Sequence, residues 1–186
     1  MTEDEKYKRF EETLLSSGIG KRYSKKDFNF KNYHFGDIGE SIKKSIFPDN
    51  GGTPTFRDDI EEGRSYTFIG GRELAMLTMK SYIARKVDCL VVDLVKMQHH
   101  LSTTDNSIRD IWLNVKVLCI TGFNSCDKES PLTNSQRALI QWVIQTRIDA
   151  ELPTMIQAYY SLTSKNTWWD NSFRNQLAEV NLEVEV

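Results

Sequence analysis

The sequence predicts an α/β domain: a parallel sheet of about five strands with helices on both faces. Runs of strand length rich in β-branched residues recur from Ser65 onward, as SYTFIG, DCLVVDLV, VKVLCIT and PTMIQAYYS. Helical patterns separate them, in RELAMLTMKSYIARK, SIRDIWLN and TNSQRALIQWVIQTRIDAE. The closing NLEVEV alternates with period two and reads as a last, edge strand.

Composition narrows the class further. With 186 residues, 39% of them apolar and 27% charged, the chain can bury a sizeable core without disulfides or metals. A net charge of −2 argues against a strongly basic DNA clamp, because sequence-independent affinity for nucleic acid comes from neutralising phosphates. Cys89, Cys119 and Cys126 make an odd number with no CxxC or Cys/His spacing, which fits free thiols in a reducing compartment and no metal site. The N-terminus MTEDEKYKRFEET lacks the apolar core of a signal peptide, and no run approaches the ~18 apolar residues of a membrane span. A cytoplasmic protein is expected.

In order along the chain, the first element is a helix over Glu3–Ser16, with Tyr7, Phe10, Leu14 and Leu15 on one side and Gly18 as its stop. That face either docks on the protein's own core or is presented to a partner. GIGKRYSKKDFNFKNYHF then interleaves cations and rings. Such a segment tracks single strands, or anchors Phe28, Phe30 and Tyr33 in a core while its lysines stay in water. These residues, 1–36, form a lead-in, and 37–186 the α/β domain. A short helix over 37–46 leads to PDNGGTPTFRDD, a turn-rich surface loop. In the first long helix of the domain Leu74, Leu77, Tyr82 and Ile83 share a face, and in the later one Leu139, Ile140, Val143, Ile144 and Ile148 do.

The segment EEGRSYTFIGGRELAMLTMKSYIARK, residues 61–86, has the strand, glycines and helix of a phosphate-binding unit but not its lysine. A P-loop, GxxxxGK[ST], wraps phosphates with backbone N–H groups, reaches them with the lysine and holds Mg²⁺ with the hydroxyl. Here Gly70-Gly71-Arg72-Glu73 stands in that place, and it reads as a tightened strand-to-helix turn.

With these elements in order, the chain resembles the ATPase domain of DnaC/DnaI-type helicase loaders and the related IstB-type ATPases. LLSSGIGKRYSKKDFNFKNY looks like the family's lead-in. GRSYTFIGGRELAMLTMKSYIARKVDCLVVDLVKM occupies the place of the first strand, P-loop helix and second strand. NVKVLCITGF stands where the Walker B strand ends, LIQWVIQTRIDAELPTMIQAYYS resembles the helix, turn and sensor strand, and NSFRNQLAEVNLEVEV resembles the final helix and strand. The resemblance implies an AAA+-like core without its chemistry. Gly71 and Arg72, or in a neighbouring register Arg72 and Glu73, replace the lysine and hydroxyl, on a loop about four residues short. The Walker B acids become Thr121 and Gly122, the sensor falls on Tyr159, and the last-helix arginines fall on Ser172 and Gln176 with Arg174 nearby. Phosphoryl transfer depends on positioned charge around Mg²⁺, so the expectation is a pseudo-ATPase with no cofactor.

The resemblance thus implies a non-catalytic DNA replication accessory protein, of phage or mobile-element origin, that acts in a bacterial host by binding a DnaB-type replicative helicase or an active loader. Two other classes compete with it, a single-stranded DNA-binding module and an inhibitor of a loader. Candidate partner-binding residues are Tyr7, Phe10 and Leu14, by helix-in-groove logic, and the Trp168-Trp169 pair. Candidate nucleic-acid contacts are Lys25 and Lys26 in the lead-in, and Arg72, Lys80, Arg85 and Lys86, a basic strip along one helix or simply its solvated face. Adjacent His99 and His100 point to different faces, so they share no metal and mark a solvated helix start.

Overall fold

A computed structural model of the chain describes residues 2–25, 63–70, 72–101, 107–123, 132–162 and 169–185. The expected anchors Phe28, Phe30 and Tyr33, the helix over 37–46, the turn-rich loop, Lys26, Cys126 and Trp168 lie outside the described residues. The elements run α1 (Glu3–Ser16), α2 (Lys21–Ser24), β1 (Ser65–Ile69), α3 (Arg72–Ala84), β2 (Cys89–Asp93) and α4 (Leu94–Leu101). They continue with α5 (Ser107–Asn114), β3 (Val117–Phe123), α6 (Asn134–Asp149), β4 (Thr154–Ala158), α7 (Asn171–Val180) and β5 (Asn181–Glu185). All five strands are parallel, in the order β2-β3-β4-β1-β5.

The period of two along the strands sorts side chains into two cores. Val117 and Cys119 of β3 face one side with Tyr66, Phe68 and Met155, where α3 packs and where Leu14 and Ile19 arrive from the N-terminal segment. Leu118 and Ile120 face the other, against α4, α5, α6 and α7. Every residue from Leu74 to Ile83 is buried, so α3 is covered all round and not only on the Leu74/Leu77/Tyr82/Ile83 face the sequence suggests. The lead-in supplies the extra cover, since α1 and α2 lie on α3.

Local chemistry sets the boundaries. A Thr2/Glu5 capping box opens α1, and Gly18, at φ 88°, closes it with an Ile19 N–H to Leu14 C=O bond. A Cβ on Gly18 would lie 2.0 Å from the Val91 carbonyl oxygen, and the Ser17 carbonyl accepts from the Val91 N–H at 2.7 Å. The α1 terminus therefore caps the middle of edge strand β2 and blunts it. The run DCLVVDLV is not one strand. The Asp93 carboxylate accepts from the N–H of Val95 at 3.0 Å, and the chain turns into α4. His99 and His100 accordingly sit in the last turn of a helix, not at its start. His99 is exposed, and His100 is half-buried with its ring edge-on to Trp112.

Arg147 fixes the N-terminal ends of the strands. Fully buried, it donates to the carbonyl oxygens of Trp112 (2.8 Å), Val115 (2.8 Å) and Pro153 (2.7 Å) and to Thr154 Oγ1 (3.0 Å). It thereby joins the end of α5 to the starts of β3 and β4. Burial lowers its pKa to about 10, which leaves the guanidinium charged at neutral pH.

Candidate functional site

In an open parallel sheet ligands bind outside the carboxyl ends of the strands. At that edge β1 ends at Ile69 and α3 begins at Arg72. Gly70, at φ 75°, turns the chain, and its N–H donates to the Ala158 carbonyl at 2.7 Å. Two residues therefore join strand and helix, too few to form a loop that surrounds a phosphate.

The charges at this edge satisfy one another. Arg72 Nη2 lies 3.2 Å from Asp93 Oδ2, at the end of β2. The same oxygen accepts from Thr121 Oγ1 at 3.3 Å, while Asp93 Oδ1 serves the Val95 N–H. Next along β3, Gly122 has φ 81° and donates its N–H to Gln157 Oε1 at 2.9 Å. Gln157 is fully buried, and its Nε2 has no hydrogen-bond partner among the described residues. Tyr159, at the sensor position, is half-exposed; its N–H bonds the Phe123 carbonyl. No cluster of three His, Cys, Asp or Glu side chains suited to a metal occurs among the described residues. The buried Cys119 thiol is pushed up to about 12 by burial, against a smaller opposing pull from Arg72.

The structure separates the residues that the sequence groups together. Of the basic strip, Arg72 belongs to the strand-end network, and Lys80 is no surface cation. Lys80 is buried, and its Nζ donates to the Ser24 carbonyl at 2.7 Å, because α2 lies over that side of α3. Arg85 is half-buried and bonds back to Ser81, its pKa lowered by burial, whereas Lys86 and Lys25 are exposed. On α1, Tyr7 is 58% exposed, Phe10 is half-buried against the core and Leu14 is wholly buried. Leu14 therefore belongs to the protein's own core and offers a partner nothing. Trp169 is likewise core, with its ring centroid 5.4 Å from that of Phe123 and 5.1 Å from that of Phe173.

The chain superposes on the DnaC helicase loader with a TM-score of 0.65 and 22% identity, over 90% of this chain and 99% of that one. The fold is that of the DnaC helicase loader. DnaI matches with a TM-score of 0.60 and 14% identity, over 94% of this chain and 92% of DnaI. The AMPPCP-bound DnaA of Aquifex aeolicus matches with a TM-score of 0.59 and 12% identity, over 90% of this chain and 51% of DnaA. No protein-family model and no curated protein matches the sequence. The DnaC/DnaI resemblance read from the sequence therefore holds for the fold across almost the whole chain. Among the described residues no helix is long and apolar enough to cross a membrane.

Proposed function

We propose that this chain is a non-catalytic, loader-like accessory protein of DNA replication, acting by contact with a DnaB-type replicative helicase or with an active loader. The observation that carries this reading is the closed Arg72–Asp93–Thr121 network at the strand ends, beside a two-residue turn. Arg72 already has a carboxylate partner, and Thr121 and Gly122 offer no acid to hold Mg²⁺. Gly122 also uses a left-handed backbone, which an acidic side chain adopts only with strain of about 1 kcal/mol or more. Such a protein works by contact, and its replication role rests on the shared fold with the DnaC helicase loader.

Two measurements test this. Calorimetric titration with Mg-ATP is expected to give no saturable heat, and a phosphate-release assay no turnover; turnover would end the non-catalytic reading, and tight binding without turnover would show that the strand-end network opens to nucleotide. Co-purification with a DnaB-type helicase is expected to succeed with the native chain. A chain that captures neither helicase nor loader has another role. A helicase-loading assay run with and without the protein then separates helper from inhibitor.

A further inference from the structure

We infer that the cleft between α1 and the C-terminal end of α3 is a docking groove for a peptide segment of a partner protein, one that carries a large apolar side chain flanked by carboxylates. This rests on the reading that the chain works through protein contacts. The cleft is an open groove of about 650 Å³, ample for one or two large side chains. Its apolar surface comes from Phe10, Ile83 and Val87. Three cations rim it, Lys6, Arg9 and Lys86, against one carboxylate, Asp88. Lys6 is partly neutralised by Glu3 at 2.7 Å, but Arg9 and Lys86 are exposed and have no ion pair among the described residues. On a chain of net charge −2, this is a local concentration of positive charge around an apolar floor.

The groove also reaches main-chain groups able to orient a peptide. The Asp88 carbonyl accepts from the Val117 N–H, so by the alternation of a parallel ladder the Cys89 N–H and C=O point away from β3, toward the outer edge, two residues before the point at Val91 where the α1 terminus caps it. Cys89 lines this cleft and also a second one of about 410 Å³, which continues across the edge of β2 to the exposed Ile111. A side chain in the first and a backbone across Cys89 give a short segment both an anchor and a direction. A nucleic acid would use the cations and leave the apolar floor empty.

Lys86 provides the means of testing this. It is the second residue after α3, at φ 63°, where its N–H bonds the Ile83 carbonyl and the Val87 N–H bonds that of Tyr82. Glycine is the residue that this left-handed position favours. Lys86→Gly should therefore fold at least as well as the native chain and still lose a groove cation.

The experiment selects peptides on the full-length protein from a random phage-displayed library and measures the enriched ones by fluorescence polarisation. Enriched peptides are expected to place Asp or Glu beside Phe, Trp or Leu. They should bind Arg9→Glu and Lys86→Gly roughly tenfold more weakly at low salt, with the difference from the native chain shrinking at high salt. Thermal melts run in parallel, in which Lys86→Gly should melt no lower than the native chain. Peptides without the acidic-apolar pattern, equal binding to both variants, or a preference of the same surface for an oligo-dT strand would each overturn the inference. Helicase captured equally by native and Lys86→Gly proteins removes the groove and leaves the functional reading standing. Groove-dependent peptides with no helicase capture do the reverse.

Discussion

Two arginines stand at opposite ends of the same sheet, and their surroundings differ in almost every respect. Arg147, at the N-terminal ends of β3 and β4, is fully buried and meets backbone carbonyls from two segments of the chain, the stretch from Trp112 to Val115 and Pro153. Arg72, at the C-terminal edge, keeps 43% of its side-chain surface exposed and makes one ion pair among the described residues, with an Asp93 that is 27% exposed. The first guanidinium is a structural rivet and the second a surface charge at the carboxyl end of the sheet, the end at which open parallel sheets bind ligands. Of the two, the arginine that the fold buries and saturates with hydrogen bonds stands at the end of the sheet away from the candidate site.

The most severe way to break this comparison is to remove the rivet. Arg147→Ala leaves the carbonyls of Trp112 and Val115 buried without a donor among the described residues, and that of Pro153 with only the Leu118 N–H at 3.3 Å; each orphan costs about 1–3 kcal/mol. The expected loss, on the order of 4 kcal/mol after partial relaxation, is a large share of the roughly 5–15 kcal/mol that holds a domain together. Urea unfolding followed by circular dichroism measures it. Lys is a poor substitute, because its three donors lack the planar fork that reaches several carbonyls at once. A loss under about 1 kcal/mol would show that Arg147 is merely tolerated in the core.

These two sites were unequally legible in the sequence. The strands were legible, because buried parallel strands are continuous β-branched runs, and so was the missing lysine, because a phosphate loop is a local motif. Arg147 left a faint signal, falling on the Ile140, Val143 and Ile144 stripe of α6, where an apolar residue is expected. What occupies the strand ends left none. Asp93 is 21 residues from Arg72 and 28 from Thr121, and only the sheet brings them together. Tertiary cover likewise overrode local readings at Lys80, which α2 buries, and at Leu14 and Trp169, whose apolar surface the core takes up. Periodicity reports that a face is apolar and leaves open which surface covers it.

Asp93→Ala gives a middle case at the site end. Its carboxylate caps the Val95 N–H at the start of α4 and accepts from Thr121 Oγ1 and Arg72. Losing a capping oxygen of this kind costs about 1 kcal/mol, and the two side-chain contacts add little because they remain partly open to water. A drop of about 1–2 kcal/mol in the same unfolding experiment is expected. A drop as large as that of Arg147→Ala would mean that Asp93 and Arg147 hold the two ends of the sheet equally.

The smallest effect belongs to Arg72→Ala, and its smallness is informative. An ion pair this exposed contributes about 0–1 kcal/mol, and added salt screens what there is. Native and Arg72→Ala proteins should therefore differ in stability by about 0.5 kcal/mol at low salt and less at high salt. If Arg72 instead serves a bound anion, the native protein but not the variant would melt higher in the presence of Mg-ATP, since a ligand that binds only the folded state stabilises it by mass action. Melting curves with and without the nucleotide thus decide whether the charge is held for Asp93 or for phosphate. Superposable curves for both proteins are the expected result, and a shift confined to the native chain would reassign Arg72 to a working nucleotide site.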